Sequence, residues 1–245
     1  MRRLVPAFVL LLALALVPAA PVRAFDAQQV FAKAKDSVVI VVGFDASGKI
    51  VTFGSGFAMG DGAQVLTVIQ VVEKAAAVAI KAPGGEPRMV EVVNTDSYEN
   101  LALLKCSETI PPLDFSTEEV LVGQDVVAIG SPMGLELTLS TGVVSALRQG
   151  LNRSLIQITA PVSFGSQGGP VLDAAGKVVG VVFGERKKGQ NLNFAISYAT
   201  ALHFLGRPLK RPKPAEQAAQ PQQNLEIKKR ADGSIEIVQP RRRTQ

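Results

Sequence analysis

Short runs of β-branched and other apolar residues recur along most of the chain, divided by turn-forming residues. The runs are Ser37–Val42, Gln64–Thr67, Val78–Lys81, Met89–Val93, Leu101–Lys105, Asp125–Ile129, Gly142–Ala146, Leu155–Ile158, Val178–Phe183 and Asn193–Ile196. Between them stand Asp45-Ala46-Ser47-Gly48, Gly60-Asp61-Gly62, Pro83-Gly84-Gly85 and Ala174-Ala175-Gly176. Runs this short and this closely punctuated predict the strands of a sandwich or a pair of barrels. Helical periodicity is confined to the edges. Ala27–Ala34 predicts a short amphipathic helix, and Tyr198–Leu205 a second, stopped by Gly206 and Pro208. The fold class is therefore all-β, and about 180 residues of such strands can bury one large core or two small ones.

The two ends of the chain carry different patterns. Met1-Arg2-Arg3 is positive, Leu4 to Ala20 is almost wholly apolar, and Val22-Arg23-Ala24 places small residues where a signal peptidase cuts. Residues 1–24 therefore predict a secretory signal cleaved after Ala24. The apolar run is short for a hydrocarbon core of about 30 Å, and Pro6 and Pro18 interrupt it, which weighs against an uncleaved anchor. The expected location is periplasmic or secreted. From Arg207 the composition turns to Pro, Gln, Ala and basic residues, and Lys210-Arg211-Pro212-Lys213-Pro214 should be extended and solvated. Leu225-Glu226-Ile227 and Ile235-Glu236-Ile237 flank Ala231-Asp232-Gly233, the pattern of a hairpin. Alone such a hairpin is marginal in water and needs a partner surface. The expected organisation is a signal at 1–24, a domain at 25–206 and a basic tail at 207–245.

Composition narrows the chemistry. The chain has 245 residues, 47% hydrophobic and 19% charged, which excludes a disordered chain, a collagen or a disulfide-dense mini-protein. The single cysteine, Cys106, excludes a disulfide framework and a zinc finger. With 11 Phe, 2 Tyr and no Trp, stacking platforms for single-stranded nucleic acid are not expected. The net charge of +5 is unevenly placed: three basic residues lie in the leader and ten from Arg207 onward. The body between is mildly acidic, so nucleic acid is not the expected partner. The one histidine, His203, removes most His-dependent metal sites and acid–base mechanisms.

Three segments carry a more specific signal. Gly54-Ser55-Gly56-Phe57 precedes Val65-Leu66-Thr67-Val68-Ile69-Gln70-Val71-Val72; next comes Asn100-Leu101-Ala102-Leu103-Leu104-Lys105; then Gly165-Ser166-Gln167-Gly168-Gly169-Pro170. Their order and spacing resemble the trypsin-like serine proteases, specifically the HtrA/Deg branch. Ala128-Ile129-Gly130-Ser131-Pro132-Met133-Gly134, Thr141-Gly142-Val143-Val144-Ser145-Ala146, Gly176-Lys177-Val178-Val179-Gly180-Val181 and Leu192-Asn193-Phe194-Ala195-Ile196 extend the match in one colinear sweep. The resemblance implies a double β-barrel and the activity of a serine-type endopeptidase, with no cofactor. It also implies that the family's catalytic histidine, aspartate and serine fall at Gln70, Asn100 and Gln167.

The expected chemistry fails at those positions. A serine attacks because an imidazole, oriented by a carboxylate, takes its proton. A carboxamide nitrogen has no available lone pair, so Gln70 is no base; Asn100 carries no charge; Gln167 has no hydroxyl. General base catalysis contributes about 10²–10⁴-fold, and loss of a whole triad costs about 2 × 10⁶ in kcat. The expectation is an inactive homologue that binds peptide or unfolded protein segments, with room for a homo-oligomer. Its oxyanion hole would use the N–H groups of Gly165 and Gln167. Two readings of that loop stay open: a glycine turn kept for folding, or a groove that still accepts a peptide carbonyl. A strand edge of the second barrel could add an extended peptide. Two alternatives remain. One is an active endopeptidase with Ser166 as an unconventional nucleophile. The other is a structural envelope protein held to an anionic surface by its tail, through Lys228-Lys229-Arg230 and Arg241-Arg242-Arg243. Cys106, after an apolar strand, is expected to be a buried thiol, and His203 to serve a helix face.

Overall fold

The computed structural model describes residues 25–131, 137–149, 154–185, 192–206, 226–229 and 235–238. The expected signal at 1–24 lies outside them, as do most of the tail and the expected turn Ala231-Asp232-Gly233. Helix α1 (Ala27–Ala34) is capped by Asp26, whose carboxylate accepts from the N–H groups of Gln28 and Gln29, and it buries Val30 and Ala34. A 3₁₀ turn, Lys35–Ser37, leads into the first barrel.

Six strands close that barrel: β1 (Val38–Phe44), β2 (Ile50–Met59), β3 (Gln64–Val68), β4 (Ala77–Lys81), β5 (Arg88–Asp96) and β6 (Leu101–Lys105), in the spatial order β1-β2-β3-β6-β5-β4. Six more close the second: β7 (Asp125–Gly130), β8 (Thr138–Gln149), β9 (Ser154–Ile158), β10 (Pro170–Leu172), β11 (Val178–Glu185) and β12 (Asn193–Ser197), in the order β10-β11-β12-β9-β8-β7. All pairings between these strands are antiparallel. Closure leaves neither barrel an open sheet edge along its full length. Helix α2 (Tyr198–Phe204) follows β12 directly, with Ser197 as its N-cap.

Two strands escape the apolar-run pattern. In β2, Gly54-Ser55-Gly56 interrupts the apolar sequence, yet register with β1 holds it in the sheet, from Gly54 opposite Val41 to Phe57 opposite Val38. β10 is only three residues long and begins at Pro170.

Two apolar clusters form the interior. One fills the first barrel with Phe57, Leu66, Leu101 and Leu104, and continues into Val127, Ile129, Leu172, Val181 and Ile196 of the second. The other lies within the second barrel around Val126, Val144, Ile158, Val179 and Val182. Each fully buried Val, Leu or Ile contributes roughly 1.5–3 kcal/mol by leaving water, so the shared cluster is the main bond between the barrels. The connector reinforces it: Leu113 N–H donates to Ala58 O at 2.8 Å, and Ser116 N–H to Val178 O at 2.9 Å. In the tail, taken by itself, β13 (Glu226–Lys229) pairs antiparallel with β14 (Ile235–Val238), Ile227 opposite Ile237.

Candidate functional site

The site is organised around a serine hydroxyl rather than around the three positions that the motifs single out. Ser55, on β2, is fully buried. Its N–H donates to Gln167 O at 2.8 Å, and its Oγ donates to Gly165 O at 2.7 Å. The same Oγ accepts from Ser131 N–H at 2.9 Å, and Ser55 O accepts from Thr67 Oγ1 at 2.7 Å. One residue of the first barrel thus holds two carbonyls and one N–H of the second.

Those carbonyls belong to two consecutive turns. Ser166 N–H closes the first on Ser163 O, and Gly169 N–H closes the second on Ser166 O, both at 3.0 Å. The third residue of each is a glycine with positive φ, Gly165 at 96° and Gly168 at 87°, as a type II turn requires. Gly168 is doubly constrained. A Cβ there would lie 2.1 Å from Ser55 O and 2.4 Å from Thr67 Oγ1. Gly168 N–H donates to Val182 O, and Val182 N–H returns a bond to Gly169 O, both at 2.8 Å, so the double turn is anchored to β11. With these contacts made, the N–H groups of Gly165 and Gln167 have no acceptor among the described residues. Two backbone donors, one from each turn, are thereby left for another acceptor.

The three singled-out positions gather around this turn. Gln70 sits in the 3₁₀ turn Ile69–Val71 that follows β3. Asn100, buried and with φ of 63°, precedes β6; its carbonyl accepts from Ile69 N–H at 3.3 Å, placing it against Gln70's turn. Asparagine is among the few side chains that tolerate this left-handed backbone. Gly54 separates Gln70's turn from Gln167. A Cβ on Gly54 would stand 2.4 Å from Val71 Cγ2 and 2.9 Å from Gln167 O. The Gln167 carboxamide lies on β11, its Nε2 2.8 Å from where a Cβ on Gly184 would be. Gln70 Oε1 is buried without a donor among the described residues.

Ser166 is turned elsewhere. A Cβ on Gly130 of β7 would fall 2.8–3.2 Å from the Cα, Cβ and Oγ of Ser166. Ser166 also lines a cavity of about 210 Å³ beside Ala128, Thr138, Ser140 and Pro161. Adjacent residues of the tight turn thus face opposite ways, Ser166 toward β7 and Gln167 toward β11. Cys106 is buried near the end of β6. Burial, with a smaller contribution from the Asp61 carboxylate, pushes its thiol above the ordinary cysteine value, which opposes thiolate chemistry.

Two features were not visible in the motifs. Phe164, 58% exposed and next to Gly165, meets Phe53 of β2 edge to face with ring centroids 4.8 Å apart. Glu99, buried beside Asn100, accepts from Nδ1 of the exposed His203 ring on α2, while its Oε2 has no partner among the described residues. Among the described residues no group of three His, Cys, Asp or Glu could hold a metal ion, and no helix is long and apolar enough to cross a membrane.

Comparison with known proteins agrees with this geometry. The sequence profile of the trypsin-like peptidase domain matches residues 54–181. A probable periplasmic serine endoprotease DegP-like of Bartonella henselae is 36% identical over 161 residues, which is 62% of this chain and 32% of that protein. The chain spans about a third of the length of the curated relatives it matches. Among solved structures, the serine endoprotease from Yersinia pestis superposes with a TM-score of 0.68 at 26% identity, covering 75% of this chain and 66% of that one. The active form of the Rv3671c protease from M. tuberculosis gives 0.69 at 27% identity, covering 80% and 90%.

Proposed function

The chain belongs to the trypsin-like peptidase family, and from that membership we propose that it is an exported member whose cleft binds peptide or protein segments without hydrolysing them. One observation carries this reading. The turn that would cradle a peptide carbonyl is built and clasped by Ser55, and on the family resemblance carboxamides fall at the positions of base and nucleophile. Gln70 and Gln167 hold the positions of base and nucleophile, and Asn100 that of the orienting carboxylate. None can ionise near neutral pH, so the general-base step and the covalent step are both lost. The donors of Gly165 and Gln167 can still engage a carbonyl, and their attraction for it needs no catalysis.

Other features favour an extended ligand. β10 pairs with β11 as far as Val181, Val182 bonds to Gly168 and Gly169 of the double turn, and beyond them Gly184 and Glu185 lie opposite Phe194 and Asn193 of β12. Backbone addition along this stretch would bring a peptide past Gln167. The Phe53–Phe164 pair supplies an apolar surface beside it for one side chain. Export accords with the periplasmic designation of the Bartonella relative and with the leader-like residues 1–24.

The test has two arms. The purified protein is incubated with unfolded protein, with a peptide library and with a serine-directed phosphonate. The expected result is saturable peptide binding with neither cleavage nor a labelled serine. Cleavage that persists through repurification and disappears in Gln167→Ala, or phosphonate on Ser166, overturns the reading. In the second arm the triple variant Gln70→His, Asn100→Asp, Gln167→Ser gains measurable proteolysis, because the donors and the cleft are already in place.

A further inference from the structure

Away from the cleft, a cavity of about 250 Å³ opens between α1, β1, the β4–β5 turn and the second barrel. That is just below the usual span of ligand pockets, about 300–1,000 Å³, and admits a group of single-residue size rather than a chain segment. Its apolar wall is formed by Phe31 of α1, Val38 and Ile40 of β1, Ala82, and Leu137 just before β8. Lys35, Asp36 and Lys81 also line it. Lys35 Nζ lies 3.7 Å from Asp36, so that pair is close to neutral. Lys81, exposed at the end of β4, has no ionic partner among the described residues.

Ser131 completes the lining from the second barrel, and it is fully buried. Its N–H is taken by Ser55, yet its hydroxyl has no hydrogen-bond partner among the described residues. A buried hydroxyl left unpaired costs roughly 1–3 kcal/mol, so it marks where a polar ligand atom gains most. The cavity therefore offers three separate chemistries: an apolar wall, an uncompensated ammonium and an unmet hydroxyl.

We propose that this cavity is a binding site for an N-acyl amino acid with an apolar side chain. The side chain packs on Phe31, Ile40 and Leu137. The free carboxylate pairs with Lys81. The amide meets the Ser131 hydroxyl, which can donate to its carbonyl or accept from its N–H. A free acylated amino acid and the carboxyl-terminal residue of a peptide present the same groups, so both are tested. Neither Lys81 nor the Ser131 hydroxyl takes part in the double turn, while the Ser131 N–H is bonded to Ser55 of the cleft.

The experiment titrates the full chain with N-acetyl-leucine, N-acetyl-leucinamide and the peptide Ala-Ala-Ala-Leu, followed by methyl NMR. Saturable shifts at Val38, Ile40 and Leu137 are expected with the free acid, and the amide should bind at least tenfold more weakly. Lys81→Met, at an exposed position, should abolish that discrimination. Ser131→Ala, which keeps the N–H bond to Ser55, should weaken acid and amide alike by about fivefold. Binding of the tetrapeptide assigns the site to peptide termini; its failure beside a binding free acid assigns it to acylated amino acids. No saturable shift with any probe, equal binding of acid and amide, or an unchanged preference in Lys81→Met overturns the proposal.

Discussion

Gly168 shows how far a single residue constrains the site. Its positive φ and its approach to Ser55 O and Thr67 Oγ1 act together, so a methyl group has neither the backbone conformation nor the space it needs. The obstructing Ser55 atom is main-chain oxygen, which no rotamer change can move aside. Gly168→Ala is expected to lower unfolding free energy by at least about 3 kcal/mol, read from the midpoint of urea denaturation. A change within about 0.5 kcal/mol would mean that the turn is looser than these contacts imply. Gly48, with a similar φ of 83°, has nothing within 4 Å of its Cβ position, so Gly48→Ala separates conformational strain from crowding.

At the scale of elements, the ten apolar runs fall on strands except for Ser37, which ends the 3₁₀ turn before β1, and Ala27–Ala34 is helix α1 to the residue. What escaped the pattern did so for physical reasons. β2 is held by its neighbour's register while Gly54-Ser55-Gly56 breaks its apolar run, and β10 is too short to show alternation. The same limit applies to the site. Gly165, Gln167 and Gly168 could be singled out because they stand together in one short motif of the family that the sequence resembles. Ser55's part depends on a partner 110 positions away, and Glu99 meets a residue 104 positions away. Spacing along a chain does not report such meetings. The Glu99–His203 contact ties α2 to the segment before β6, and it leaves a testable asymmetry. His203→Ala strands a buried carboxylate and should cost about 1–2 kcal/mol. Glu99→Gln removes the charge itself and should cost less, measured by thermal and urea unfolding of the two variants. The reverse order would show that the pair does not hold the helix.

Across the whole molecule, the shared apolar cluster supplies most of the adhesion between barrels, whereas Ser55 determines how they meet. Removing its hydroxyl leaves the apolar cluster untouched but deprives Gly165 O and Ser131 N–H of their partner. Ser55→Ala should therefore lower stability by about 2–4 kcal/mol. Hydrogen exchange should accelerate at 165–169 while the strands of both barrels stay protected. Uniform acceleration over the second barrel would instead make the hydroxyl a general support for that half.

The clasp also has a consequence in time. A polypeptide that has folded only its first half possesses Ser55 but nothing for it to grip, and loop closure over such a span comes late in folding. No groove exists on a partly emerged chain. On the proposed function, capture of a ligand would wait until synthesis has passed the second half, and an unfinished molecule would leave the partner free for a finished one.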